Sequence, residues 1–201
     1  MLKEHYGVGI YSRARYMAAA GSDARMSGCE MPVIIVSGSG NQGITASVPV
    51  VEYAKELNVS RDQMVRAVLL SDLLTIHLKT GIGRLSAYCG AVSAGCSAGA
   101  AIAYLHGGGF REIAHTLVNS LAIVSGMICD GAKPSCAMKL TSGVSTAVLS
   151  AMMALEHRCV TAVEGIIDDD VDQCIRNLTR IGRDGMNETD RLVLDIMTSK
   201  N

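Results

Sequence analysis

The chain has 201 residues, 49% of them hydrophobic, with a formal net charge of −1. That length fits one domain, 1–201, better than two small ones. Basic and acidic residues are nearly balanced, and neither forms a long run. This excludes the electrostatic footprint of a nucleic-acid binder and argues against a membrane-surface protein.

Aromatic residues are only 3%, with no Trp and one Phe, so the core must be built from Ala, Val, Leu, Ile and Met. That composition favours helices over a sandwich or barrel. Residues 1–30 read as the first helix, with Tyr11, Ala14, Met17 and Ala18 at helical spacing and Gly28 as its stop. Arg13, Arg15, Asp23 and Arg25 supply its polar side. Arg25 sits within reach of an anion in the next loop, or is simply solvated.

Val33–Val36 is a short apolar run. Ser37-Gly38-Ser39-Gly40-Asn41-Gln42-Gly43 follows, then a helix from about Ile44 to Leu57. The glycines form a G-x-G-x-x-G, which suggests a dinucleotide turn. A second parallel strand with an acidic residue near its end should then follow. Instead Ser60-Arg61-Asp62-Gln63 opens another helix with a capping-box pattern. What survives is a glycine-rich loop at a helix N-terminus, a setting that offers backbone N–H groups to a carboxylate or phosphate.

Residues 61–79 form a periodic helix through Met64, Val65, Val68, Leu69, Leu73, Ile76 and Leu78. His77 and Lys79 lie at its end, where the helix dipole favours cations. From Leu85 to Leu105 there is no charged residue. The length would suit a membrane span, but the segment is mostly Ala, Gly and Ser, which insert poorly. A buried central helix is expected, with Gly95 and Gly99 permitting close helix approach and Cys89 and Cys96 on one face. His106–Gly109 breaks it. Helices from Phe110 to about Gly126 and from Cys136 to about His157 follow, separated by the loop that starts at Met127. Asp168–Asp170 open a helix running to about Ile181, as a dipole-favoured first turn rather than a metal cluster. Asn187 or Thr189 caps a last helix ending near Met197. The expected fold is all-α, a single compact bundle of about seven to eight helices around a small-residue central helix.

The seven cysteines are an odd number, no signal peptide opens the chain, and a domain of this size needs no disulfide staples. Reduced thiols in a cytoplasmic protein are expected. Cys129 and Cys136 share the loop after Met127, and Cys89 belongs to a helix that can pack beside it. Zinc would want a fourth ligand and tighter pairs. An iron–sulfur cluster on three cysteines would leave one iron open for substrate. Buried structural cysteines are the alternative.

The run Cys129-Asp130-Gly131-Ala132-Lys133-Pro134-Ser135-Cys136-Ala137-Met138-Lys139 resembles the hallmark of the L-cysteine desulfidase family, which groups with the alpha chain of the iron–sulfur L-serine dehydratases. Further matches follow in family order: Asp23–Met26, Gly38–Gly43, Leu85–Gly90, Gly185-Met186 with Thr189-Asp190, and Ile196-Met197. They cover almost the whole chain. The resemblance implies a [4Fe–4S] cluster and α,β-elimination from a small L-amino acid, cysteine or serine, giving pyruvate, ammonia and hydrogen sulfide or water. It makes Cys89, Cys129 and Cys136 the cluster ligands, and Cys29, Cys159 and Cys174 packing residues. Ser39, Asn41, Gln42 and Gly43 would then hold the substrate carboxylate. Lys79, Lys133 and Lys139 are the candidate bases, because a desolvated lysine has a lowered pKa.

Full-length desulfidases carry a further N-terminal region, so a homo-oligomer or a separate subunit bearing that region is the expected partner. The competing reading is a non-catalytic subunit on the same fold that binds an amino acid or small anion.

Overall fold

The computed structural model describes residues 4, 5, 7–84 and 86–200. Leu85, which begins the uncharged stretch, and residues 1–3, which the first helix was expected to include, lie outside them. Among the described residues the long elements are all helical: α1 (Ile10–Met26), α2 (Gly40–Glu56), α3 (Arg61–Thr80), α4 (Gly90–Leu105), α5 (Phe110–Val124), α6 (Cys136–Leu155), α7 (Val171–Arg180) and α8 (Asn187–Thr198). A π-helical turn, Ile181–Gly185, continues α7. The only β-type pairings among these residues are two isolated bridges, Val36 with Ser39 and Tyr88 with Ile128.

The uncharged stretch supplies α4, the common wall of the bundle, but the helix starts only at Gly90, so Cys89 is its N-cap rather than a residue on one face with Cys96. α4 packs against α2, α3, α5 and α6. Small residues make this possible. A Cβ added to Gly95 would lie 2.9 Å from the backbone of Gly143 on α6, and one added to Gly99 would lie 2.7 Å from the Ala147 carbonyl oxygen. Backbones that approach this closely gain dispersion contacts that larger side chains would prevent. Ala98, Ala101 and Ile102 join a cluster with α1, α2 and α6. Val92, Cys96 and Ala100 join a second with α3, α5 and α7. α6 is long and apolar enough by composition to cross a membrane, but here it packs against α1, α4 and α5.

Several helix ends follow local chemistry. The Ser60 hydroxyl accepts from the Gln63 N–H at 3.2 Å, as the S-x-x-Q pattern predicts. Asp170 caps α7 by accepting from the Asp172 N–H at 3.0 Å, so its carboxylate serves the helix start. Two expectations change. The last helix is capped by neither Asn187 nor Thr189, because it starts at Asn187 with Met186 in the cap position and no side-chain bond. α2 starts at Gly40 rather than Ile44, so Asn41, Gln42 and Gly43 form its first turn.

Candidate active site

The site grows from two short backbone pairings. Cys89 donates its N–H to Met127 O at 3.1 Å, and Cys129 donates to Ala87 O at 2.5 Å. The segment entering α4 is therefore zipped to the segment leaving α5. Cys89 is buried at the N-cap of α4, and Cys129 lies opposite it, half-buried. The Cys89 thiol donates to the Cys129 sulfur. That bond, aided by the Gly131 N–H and the Lys139 charge, brings Cys129 down to about 6, while the same bond and burial push Cys89 up. The direction of both shifts favours the thiolate at Cys129 over Cys89, and the thiolate is the form that binds metals and attacks electrophiles.

The loop that carries Cys129 is clamped. Lys139 donates to Ile128 O at 2.7 Å and to Asp130 Oδ1 at 2.6 Å, and Lys133 pairs with the other oxygen of Asp130. The two ammonium groups hold the Asp130 carboxyl well below the usual range. Burial alone would lower Lys139, but Asp130 outweighs it and holds that ammonium above its ordinary value. Cys136 opens α6 and is buried, with its Sγ turned to the Gly131 carbonyl at 3.6 Å. Among the described residues no three His, Cys, Asp or Glu side chains converge closely enough to hold a metal ion. The structure brings Cys89 and Cys129 together, and Cys136 stands at the start of α6 with Gly131 next to its sulfur.

Lys79 is the unexpected member. Its position at the end of α3 suggests a solvated cation serving the helix dipole, yet it is 2% exposed. Its Nζ donates to Ser86 Oγ at 3.3 Å, and Ser86 donates to Tyr88 O, which ties the lysine to the Cys89 segment. Burial lowers its pKa, and the nearby Cys129, Cys89 and Asp190 charges only partly oppose that. Lys79 also lines a cavity of about 600 Å³ with Ile35, Ser37, Gly38, Ile76 and Arg84.

The glycine-rich turn reaches the same place. Gln42 is 3% exposed and packs against Gly90, the first residue of α4 after Cys89. Its Nε2 donates to Ser37 O at 3.3 Å, while its Oε1 is buried with no partner among the described residues. Asn41 accepts from Arg25 at 3.2 Å, so that arginine holds the turn. Ser39 occupies the N-cap of α2 without a side-chain cap bond. At Gly43 the requirement is steric, since an added Cβ would fall 1.9 Å from the Ile34 carbonyl oxygen. Gly43→Ala is expected to lower stability by about 2 kcal/mol by displacing the Val33–Val36 segment. Thermal unfolding followed by circular dichroism checks this, and an unchanged midpoint would show that the segment yields freely.

With the site assembled, relatives can be compared. A family model described as serine dehydratase alpha chain matches residues 2–195. The chain belongs to the serine dehydratase alpha chain family. Similar proteins include UPF0597 protein DSY1109 of Desulfitobacterium hafniense, 54% identical over 200 residues, and UPF0597 protein BF3560 of Bacteroides fragilis, 57% identical over 194. UPF0597 protein FN1147 of Fusobacterium nucleatum is 48% identical over 193 residues. The matches cover 100%, 96% and 96% of this chain, which spans only 46%, 45% and 45% of those relatives. No solved structure matches.

Within this serine dehydratase alpha chain fold, the sequence pointed to the cysteines and to the glycine-rich turn but gave no role to Asp190. That carboxylate, from α8, accepts the Ala87 N–H and adds a negative charge near Lys79. Its motif, Thr189-Asp190, was visible, but a contact to Ala87 carries no local signature. Two of the cysteines expected to pack do so. Cys174 is buried, with its thiol donating to Asp168 O at 3.1 Å, and Cys159 packs at the edge of the second core cluster. Cys29 does not; it is exposed, beside a cavity of about 390 Å³ between α1 and α2.

Proposed function

We propose that this chain is the catalytic part of an iron–sulfur lyase that performs α,β-elimination on a small L-amino acid, releasing pyruvate, ammonia and hydrogen sulfide from cysteine, or pyruvate and ammonia from serine. The observation that carries the reading is the meeting of a buried lysine, two facing free cysteines and a helix N-terminus at one place. Membership of the serine dehydratase alpha chain family supports the reaction class. The closer resemblance to L-cysteine desulfidases rests on the Cys129–Lys139 motif.

Cys89, Cys129 and Cys136 would hold a [4Fe–4S] cluster. Their chemistry suits it, because all three are free thiols on one loop and its paired segment, and one is already acidic. Lys139 carries positive charge that offsets the thiolates. When bound, the cluster supplies a Lewis-acidic iron to stabilise the β-leaving group. The residues of the chain do the rest. The first turn of α2, from Ser39 to Gly43, offers backbone N–H groups to the substrate carboxylate. Gln42 Oε1, buried without a partner among the described residues, accepts from the α-ammonium. Lys79 takes the α-proton as its free amine, the form that burial favours. Asp130, held by Lys133 and Lys139, keeps the cysteine loop in place.

Anaerobic reconstitution with iron and sulfide tests the reading. A brown protein with charge-transfer absorption, which yields pyruvate from L-cysteine or L-serine, is expected. A protein that stays colourless after reconstitution overturns it. The cluster absorption should vanish in Cys136→Ser and persist in Cys174→Ser; equal behaviour of the two would overturn the ligand assignment.

A further inference from the structure

Among the described residues nothing covers one face of α3. Val65, Leu69, Leu73 and Ile76 recur at helical spacing and are 53%, 55%, 55% and 47% exposed. The opposite face of the same helix, with Ala67, Ser71, Thr75 and Leu78, is fully packed against the bundle. A helix whose inward face is already packed does not need a second apolar stripe facing solvent. The stripe continues past the helix end, because Ile76 shares the wall of the Lys79 cavity with Ile35, which is 65% exposed. A contiguous apolar strip of this kind marks an interaction surface.

A polar detail on the same helix narrows what covers it. Asp72, one position before Leu73, is half-buried, and its Oδ1 is closed off from solvent without a hydrogen bond among the described residues. A half-buried carboxylate without a donor is a costly arrangement unless a partner completes it. The relatives indicate where such a partner resides. More than half the length of each lies outside the part that matches this chain.

We propose that the Val65–Leu69–Leu73–Ile76 face of α3 is the docking surface for the polypeptide that the relatives carry beyond the matched region. That polypeptide lays an apolar segment along the stripe and brings a Lys, Arg or other hydrogen-bond donor to Asp72. Because Ile76 and Ile35 belong to both the stripe and the Lys79 cavity, the docked segment also closes that cavity on one side. This goes beyond the proposed chemistry and stands without it.

The test is co-expression of this chain with the unmatched region of UPF0597 protein DSY1109, the partner carrying an affinity tag, followed by size-exclusion chromatography with light scattering. A one-to-one complex is expected. Leu69→Glu with Leu73→Glu should abolish it, while the helicity and melting temperature of this chain alone stay unchanged, since both side chains are exposed. Asp72→Ala should weaken the complex at least tenfold. No complex with the wild-type chain, or a complex indifferent to the double substitution, overturns the proposal. So does a homodimer of this chain that the double substitution dissociates, because the occupant would then be a second copy.

Discussion

Gly99→Val should lower the stability of the chain by at least about 3 kcal/mol, and the melting temperature by about 10 °C. In an isolated helix the change would act the other way, because valine has the better helix propensity. The sign reverses because the added Cβ would stand 2.7 Å from the Ala147 carbonyl oxygen and 3.0 Å from its Cα. These are backbone atoms of α6, so no side-chain rotamer can relieve the clash. The helices must separate, and the separation also loosens Gly95 against Gly143 one turn earlier. For a protein of ordinary marginal stability, such a loss is a large share of the whole. Chemical denaturation with urea measures it. A midpoint within error of the wild type would mean that α4 and α6 are not held at this distance in solution.

Lys79→Met should reduce turnover by at least about a hundredfold with little change in KM. The methionine fills nearly the same volume and removes only the ammonium, so folding should survive. Burial lowers the pKa of Lys79 below its ordinary value, so wild-type turnover should rise with pH through that lowered value as the amine becomes neutral. The variant should lose this limb. Stability gives a second readout with its own sign. The folded state releases the Lys79 proton more easily than the unfolded state, so between the lowered folded pKa and the unfolded value the unfolded chain binds more protons. Stability attributable to this group therefore rises with pH across that window, is fully present above the unfolded pKa and is lost as pH falls through the folded one. Lys79→Met should flatten that slope. A variant that keeps both the rate and the alkaline limb would remove Lys79 from the role of base.

The helices were legible because their apolar periodicity and caps are local. Ser60 with Gln63 marked the start of α3, and the Ala- and Gly-rich composition marked α4 as buried. The misjudged start of α2 has a physical cause. Gly40, Asn41 and Gly43 favour turns when read alone, but contacts hold them in a helix: Arg25 beside Gly40, Gln42 beside Gly90, and the Ile34 carbonyl over Gly43. Lys79 was recognisable as a candidate but not as a buried one. The Ser86 hydroxyl it meets lies beyond the end of its own helix. Asp190 was still less legible, because its partner, Ala87, lies more than half the chain away. Cys29 failed as a packing residue because it sits in a turn after α1 rather than on a helix face.

The pairing of Tyr88 with Ile128 separates the placing of the two cysteines from the chemistry of their sulfurs. Cys89 and Cys129 are registered through their own peptide N–H groups, and the clamp on their loop runs through Asp130 and backbone carbonyls. The backbone pairing and the lysine clamp run through neither sulfur. The place where the thiols meet is therefore inherited from the main chain, and exchanging or oxidising a sulfur alters the contents of the site without erasing its address.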